Sequence, residues 1–320
     1  MNEVLRGTAA EVDHISTFLD SMRRVPLVAP PMVPRCFRLS TLLSHTLVRQ
    51  FPFDAALFNE TCNAARRSLA MIADDFSLLE PSRFIVGALA EGSHDAGGFH
   101  SQYAHGFRYF SNYGLGITLN NSSVRPALKT LELARTYVHD SIHASTFRSF
   151  RLYFGEQTTA FPVFREQYGL NFRRPSGVSY SAPHLTKSCP LGINLNLLMD
   201  GVTVLMVRAV MEPFLQKIDA GRSRDEQYVL GDLRLIPDSM RATSAELDFY
   251  QAVVAPSAIF VEQWGGTALR ERLFAAMVSG RLKSLSDYFN AATGTVSGWK
   301  QLFLSPSWPP ATAAGRRAVT

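Results

Sequence analysis

Residues 122–145 read "SSVRPALKTLELARTYVHDSIHAS". Ser122 or Ser123 can cap a helix that has Pro126 in its first turn, and the apolar side chains that follow recur at helical spacing. His139 and His143 lie near the C-terminal end of this predicted helix. Because positions four apart project from the same face one turn apart, both imidazoles can reach one ion.

The residue types in this segment suit zinc chemistry. Zinc takes imidazole nitrogen at roughly 2.0–2.1 Å, and a catalytic zinc site has three protein ligands and a water. Asp140 follows His139 directly, where a carboxylate can take a proton from the activated water. The alternative is that His139 and His143 are a chance pair on a half-buried helix.

A possible third ligand lies 57 positions after His143. There "NLLMDGVTVLMVRA" predicts a second helix, and Asp200 stands in its first part. "YVHDSIHA" followed by "LMDGVT" resembles the gluzincin group of zinc metallopeptidases. Their pattern is HExxH on one helix and then an acid-Gly-x-Thr segment that opens another. The preceding "LGITLNN" resembles the sheet segment beside the substrate groove of such enzymes, and the resemblance covers roughly residues 105–300.

The resemblance implies a role for each matching residue. His139 and His143 match the zinc-binding histidines, Asp140 matches the general base, and Asp200 matches the acidic third ligand. Zn²⁺ is the implied cofactor, and a peptide or protein is the implied substrate. Both acids are aspartate where the family usually has glutamate, so each carboxylate falls about 1.5 Å short unless the backbone moves in. Such a site is either a compact active variant or a metal site without turnover.

Other positions are weaker candidates. Tyr250 is the preferred donor to the oxyanion, with Tyr228 and His184 as alternatives by residue type. Cys189 is an alternative third ligand, because thiolate also suits zinc. Glu132 lies two helical turns before His139, where it could support a ligand.

Two rival interpretations stay open. His139-Asp140 is also the adjacent dyad of HD-domain phosphohydrolases, for which His105 and Asp200 could complete the site. Those proteins are all-helical, and the strand-like "YGLGITLNN" at 113–121 counts against them. The second rival is a catalytically degenerate zincin-like scaffold or binding protein, which the two aspartates favour.

Composition indicates a packed globular chain, with 46% apolar and 18% charged residues among 320. The net charge of +5 is spread along the chain without a long Lys/Arg block, so specific nucleic-acid binding is not expected. Three widely spaced cysteines favour a reducing compartment. Because neither a secretory signal nor a long apolar run appears, we expect a cytoplasmic protein without a membrane span. The oligomeric state cannot be read from the sequence.

The predicted fold class is α+β: a zincin-like, mostly helical protein with a small sheet beside the metal-binding helix. Residues 1–80 are interpreted as a helical N-terminal region, and residues 81–305 as the catalytic core. An insertion of hairpins interrupts this core at about 147–193, and residues 306–320 are expected to form a flexible tail. Strands are expected within 83–90 and 106–123, and a helix over 194–218.

Overall fold

Helices and two small sheets make up the described part of the chain. The computed structural model describes residues 3–24, 35–44, 54–88, 98–100, 113–117, 126–152, 163–172, 195–223, 253–296 and 298. The helices in these ranges are α1 Ala9–Arg24, α2 Leu39–Leu43, α3 Ala55–Ile72, α4 Pro126–Ser145, α5 Leu195–Asp219, α6 Ala255–Trp264, α7 Gly266–Ser279 and α8 Lys283–Thr293. The strands are β1 Glu3–Leu5, β2 Arg35–Arg38, β3 Phe84–Ala88, β4 Gly98–His100, β5 Tyr113–Ile117, β6 Arg148–Leu152, β7 Val163–Tyr168 and β8 Asn171–Phe172. The α+β class is confirmed at this level.

The strands form two four-stranded sheets. One has the order β2-β3-β5-β4, in which β3 and β5 are parallel and both edge strands are antiparallel to their neighbours. The other has the order β1-β6-β7-β8, in which β1 runs parallel to β6 and the remaining pairs are antiparallel. In the chain, α4 follows β5 of the first sheet and is followed directly by β6 of the second sheet. The helix that carries both histidines is therefore joined to a sheet at each end.

A single large apolar core contains side chains of α3, α4, α5 and α7. The structure places α4 against both α3 and α5. Asp54 accepts a hydrogen bond from the backbone N–H of Leu57 at 3.0 Å and so caps α3. Thr130 of α4 in turn accepts from the backbone N–H of Asp54 at 3.0 Å. These bonds cap α3 and attach its first residues to α4.

Serines on α4 bind the irregular segment that precedes β3. Ser141 accepts from the backbone N–H of Leu79 at 3.0 Å, and Ser145 donates to the carbonyl of Ser77 at 2.6 Å. The Tyr137 hydroxyl donates to the carbonyl of Leu79. Backbone groups that cannot join a sheet are thus satisfied by polar side chains of one helix face. This leaves a different face of α4 for the two histidines.

The N-terminal residues contribute to the second sheet. β1 pairs with β6, and a small apolar cluster joins Ile15 and Leu19 of α1 to Phe150 and Val163. Neither β1 nor β2 was predicted, because each is a short strand whose partner is distant in sequence. The boundary placed at residue 80 stays a prediction. Within the described residues, no helix is both long and apolar enough to span a bilayer.

Candidate metal centre

His139 and His143 point toward each other on α4. Their Nε2 atoms lie 3.1 Å apart, and the ring centroids are separated by 4.8 Å. His143 is buried, with 3% of its surface exposed, whereas His139 is half-buried. The predicted helical spacing therefore does bring the two imidazole nitrogens to one place.

Asp200 approaches this pair from α5. Its Oδ1 lies 3.5 Å from Nε2 of His143. Two nitrogens bound to one tetrahedral zinc ion at roughly 2.0–2.1 Å lie about 3.3–3.4 Å apart. The distances of 3.1 and 3.5 Å fall on either side of that value. Aspartate reaches His143 despite its short side chain, because α4 and α5 pack directly together.

The three side chains do not yet form a closed site. Among the described residues, no three His, Cys, Asp or Glu side chains are arranged as a group that could hold a metal ion. Both short distances share His143, which is buried. His139 is half-buried and Asp200 has a side-chain exposure of 34%, so both lie on the solvent-facing side of the buried His143. The donor types fit zinc, and their assignment as ligands stays a prediction.

One stripe of α4 remains partly open to solvent. Between Thr130 and Thr146, only Glu132, Arg135 and His139 are half-buried, and every other residue is buried. The spacing of three and four residues places them on one face of the helix. Glu132 and Arg135 form an ion pair on this stripe, with Nε of Arg135 2.9 Å from Oε2 of Glu132. Solvent therefore reaches the candidate centre at His139, on the helix face that also carries the Glu132–Arg135 ion pair.

The glycine and threonine after Asp200 have packing roles. A Cβ at Gly201 would lie 2.0 Å from Oγ of Ser257, so the glycine permits the close approach of α5 and α6. Thr203 is fully buried and its hydroxyl donates to the carbonyl of Met199 at 2.8 Å. The Asp-Gly-x-Thr pattern is thus explained by helix packing at two of its positions. Asp200 is the residue of this segment that approaches the histidines.

Asp140 follows His139 on α4 and is buried, with 3% of its surface exposed. Burial raises the pKa of its carboxyl well above the usual range, and the charge of Arg135 offsets this shift only in part. Burial of this kind disfavours the ionised form of the carboxyl. Its predicted role as general base therefore depends on a further positive charge near it.

Sequence reasoning missed the residues that hold His143 in place. The Tyr168 hydroxyl lies 3.3 Å from Nδ1 of His143. Arg148 is fully buried and donates to the carbonyls of His143 and Ala144 at 2.6 and 2.7 Å. These donors lie where the last carbonyls of α4 lack helical partners. No sequence signal marks either residue. Arginine is usually exposed, so the burial of Arg148 could not be predicted before its hydrogen-bond partners were known.

Several predicted residues cannot be placed. The second-choice ligand and the oxyanion donors lie outside the described residues, as does the upstream histidine of the phosphohydrolase alternative: Cys189, Tyr250, Tyr228, His184 and His105. Glu132, the suggested supporting residue, pairs with Arg135.

In the metal-free protein, Asp200→Asn is expected to raise stability at neutral and higher pH. Burial raises the pKa of the Asp200 carboxyl to about 7, whereas the unfolded chain has about 3.9. The unfolded state therefore loses its proton first, and wild-type stability falls as the pH rises from about 4 to about 7. Asparagine cannot ionise, so this loss is absent in the variant. Because 34% of the side chain is exposed, water screens part of the penalty.

Urea unfolding of both proteins at several pH values between 4 and 8 measures this difference. The free energy of unfolding of the variant, relative to that of the wild type, should increase as the pH rises and stay constant above about pH 7. Equal pH dependence of the two proteins would show that the Asp200 carboxyl has the same pKa in the folded and unfolded states.

Comparisons with known proteins give no assignment. The chain matches no protein-family model, no curated protein and no solved structure. The predicted ligand roles of His139, His143 and Asp200 therefore rest on their chemistry and on the distances given above, and the predicted role of Asp140 rests on its place directly after His139.

Proposed function

We propose that His139, His143 and Asp200 hold a zinc ion and that the protein hydrolyses peptide bonds. The proposal depends on one observation: Nε2 of His143 lies 3.1 Å from Nε2 of His139 and 3.5 Å from a carboxylate oxygen of Asp200. Two imidazoles and one carboxylate are a known donor set of catalytic zinc, which leaves one position for water. The partial exposure of His139 and Asp200 provides that open side.

Each residue has a separate task in this proposal. A zinc ion in such a site lowers the pKa of a water molecule and polarises a carbonyl group. His143 supplies a rigid donor, because it is buried and contacts Tyr168. Asp200 supplies negative charge that balances the cation. His139 lies at the border of the open stripe, so substrate would approach from the side of Arg135 and Glu132.

Asp140 is the proposed general base. If His139, His143 and Asp200 hold a divalent cation, its charge would favour the ionised form of the Asp140 carboxyl and lower the pKa that burial raises. The ionised carboxylate then takes a proton from the attacking water and returns it to the leaving amine. Metal binding and base activity are thus coupled through the charge on Asp140.

The fold around the centre is compatible with a zincin-like arrangement. α4 contacts β5, and β5 lies between β3 and the antiparallel edge strand β4. We propose that this edge flanks the substrate groove. The two sheets do not favour the phosphohydrolase alternative, which calls for an all-helical fold.

A metal-binding scaffold without turnover is the second candidate function. The burial of Asp140 favours it, because a carboxyl that retains its proton cannot act as a base. The two candidates share the zinc site and differ only in whether Asp140 ionises when zinc is bound.

Incubation of the zinc-loaded protein with a diverse peptide library, followed by mass spectrometry, distinguishes them. We expect cleavage that stops when a chelator removes zinc. Asp140→Asn should reduce cleavage by about 10²–10⁴-fold, the usual contribution of a general base, while zinc content stays near one per chain.

Asp74→Asn provides the matched control, because Asp74 is exposed in the turn after α3. It should leave cleavage unchanged. Zinc binding without any cleavage would favour the scaffold, and unchanged cleavage in Asp140→Asn would contradict the base assignment.

A further inference from the structure

The Tyr168 side chain lies within hydrogen-bonding distance of Nδ1 of His143. Its hydroxyl lies 3.3 Å from Nδ1, on the opposite side of the ring from Nε2, which faces His139 and Asp200. Tyr168 closes β7 and is buried, with 7% of its surface exposed. A buried tyrosine hydroxyl normally has a hydrogen-bond partner, and here the imidazole is in place to be one.

Two arginines hold the Tyr168 ring. The guanidinium carbons of Arg165 and Arg148 lie 4.3 and 5.4 Å from the ring centroid. Arg148 stands directly opposite Tyr168 in the pairing of β6 with β7. The same Arg148 side chain binds the backbone carbonyl of His143. The tyrosine ring and the backbone that carries the imidazole are thus attached to one buried side chain, and their relative position is fixed.

The contact between the histidines limits where the protons lie. A neutral imidazole has one N–H donor and one acceptor nitrogen. With 3.1 Å between the two Nε2 atoms, one must carry hydrogen and the other a lone pair. If His139 donates, Nε2 of His143 accepts and its proton is on Nδ1, where the Tyr168 oxygen accepts it. A histidine that binds a metal through Nε2 needs this same tautomer.

We propose that Tyr168 is a positioning residue that keeps the His143 proton on Nδ1 and so leaves the Nε2 lone pair to accept a hydrogen bond from His139. The tautomer is a property of the metal-free protein. Its use as a ligand orientation rests on the proposed zinc site, and the two can be tested separately.

Nitrogen-15 NMR of the metal-free, uniformly labelled protein tests the tautomer directly, since protonated and unprotonated imidazole nitrogens differ widely in chemical shift. Signals of His143 are assigned by their loss in His143→Gln. The wild type should show a protonated Nδ1 and an unprotonated Nε2. Tyr168→Phe removes only the hydroxyl and should move the proton to Nε2 in a large fraction of molecules.

Tyr288→Phe is the matched control. Tyr288 is half-buried and donates its hydroxyl proton to the carbonyl of Trp264 in another part of the core. This variant loses a comparable hydrogen bond and should leave the His143 tautomer unchanged. A wild-type His143 protonated on Nε2 would overturn the proposal without any variant. So would a Tyr168→Phe spectrum that still shows the proton on Nδ1.

Zinc titration of the same proteins separates this inference from the proposed function. Tyr168→Phe should weaken zinc binding about 10–100-fold, as loss of a partner to a ligand histidine usually does, and Tyr288→Phe should not. If the tautomer depends on Tyr168 but the wild type binds no zinc, the positioning role stands and the proposed function fails. If zinc binds equally well to Tyr168→Phe, Tyr168 has no role in orienting the ligand.

Discussion

Arg148→Met is expected to lower the free energy of unfolding by about 3–6 kcal/mol, because two hydrogen bonds from a charged donor are lost, each worth about 1.5–3 kcal/mol. Methionine fills much of the space but cannot donate to the carbonyls of His143 and Ala144. These carbonyls lie at the buried C-terminal end of α4, where water does not replace the guanidinium. Urea unfolding followed by circular dichroism measures the change.

Arg151→Met is a closely matched control on the same strand. Arg151 has a side-chain exposure of 45% and pairs with Glu166 at 2.9 Å. An exposed ion pair contributes little, so this variant should lose less than about 1 kcal/mol. Similar losses in both variants would contradict the structural role assigned to Arg148, and Arg148→Lys should lie between them.

Zinc is expected to stabilise the wild type and to have no such effect on His143→Ala. At a free zinc concentration 1,000 times the dissociation constant, binding to the folded state alone adds about 4 kcal/mol to the free energy of unfolding. His143 takes part in both short contacts of the centre, so its removal leaves no pair of ligands in place. Urea unfolding with and without zinc measures the difference for each protein.

His14→Ala controls for zinc that binds elsewhere. His14 is exposed on α1, and its removal should leave the zinc-dependent gain intact. Because each protein is compared with itself, any loss of stability caused by the substitution cancels. A gain in His143→Ala equal to that of the wild type would mean that zinc binds at another place.

Local patterns predicted the helices and the histidine pair. The strand at Phe84–Ala88 and the helix that carries both histidines lie where local sequence patterns placed them. Such features depend on residues a few positions apart, which interact whatever the rest of the chain does. The approach of Asp200 to His143 was expected only through a resemblance, and α4–α5 packing produces it.

Features that depend on distant pairing were not predicted. β1 exists because residues 148–152 offer it a parallel partner, and three residues carry no periodic signal of their own. Arg148 and Arg165 point into the protein at 0% and 7% exposure, against the rule that charged residues lie outside. Arg148 is buried because it binds the last carbonyls of α4, and Arg165 is buried because it packs on the ring of Tyr168. These contacts form only in the folded protein and have no local signal in the sequence.

X-ray absorption at the zinc edge, on protein loaded with one equivalent of zinc, tests the ligand set most directly. We expect about two imidazole nitrogens at 2.0–2.1 Å and oxygen at 2.0–2.2 Å, with no sulfur near 2.3 Å. His143→Ala should lose the imidazole pattern. A spectrum that contains sulfur, or one that His143→Ala leaves unchanged, would contradict a zinc site built from His139, His143 and Asp200.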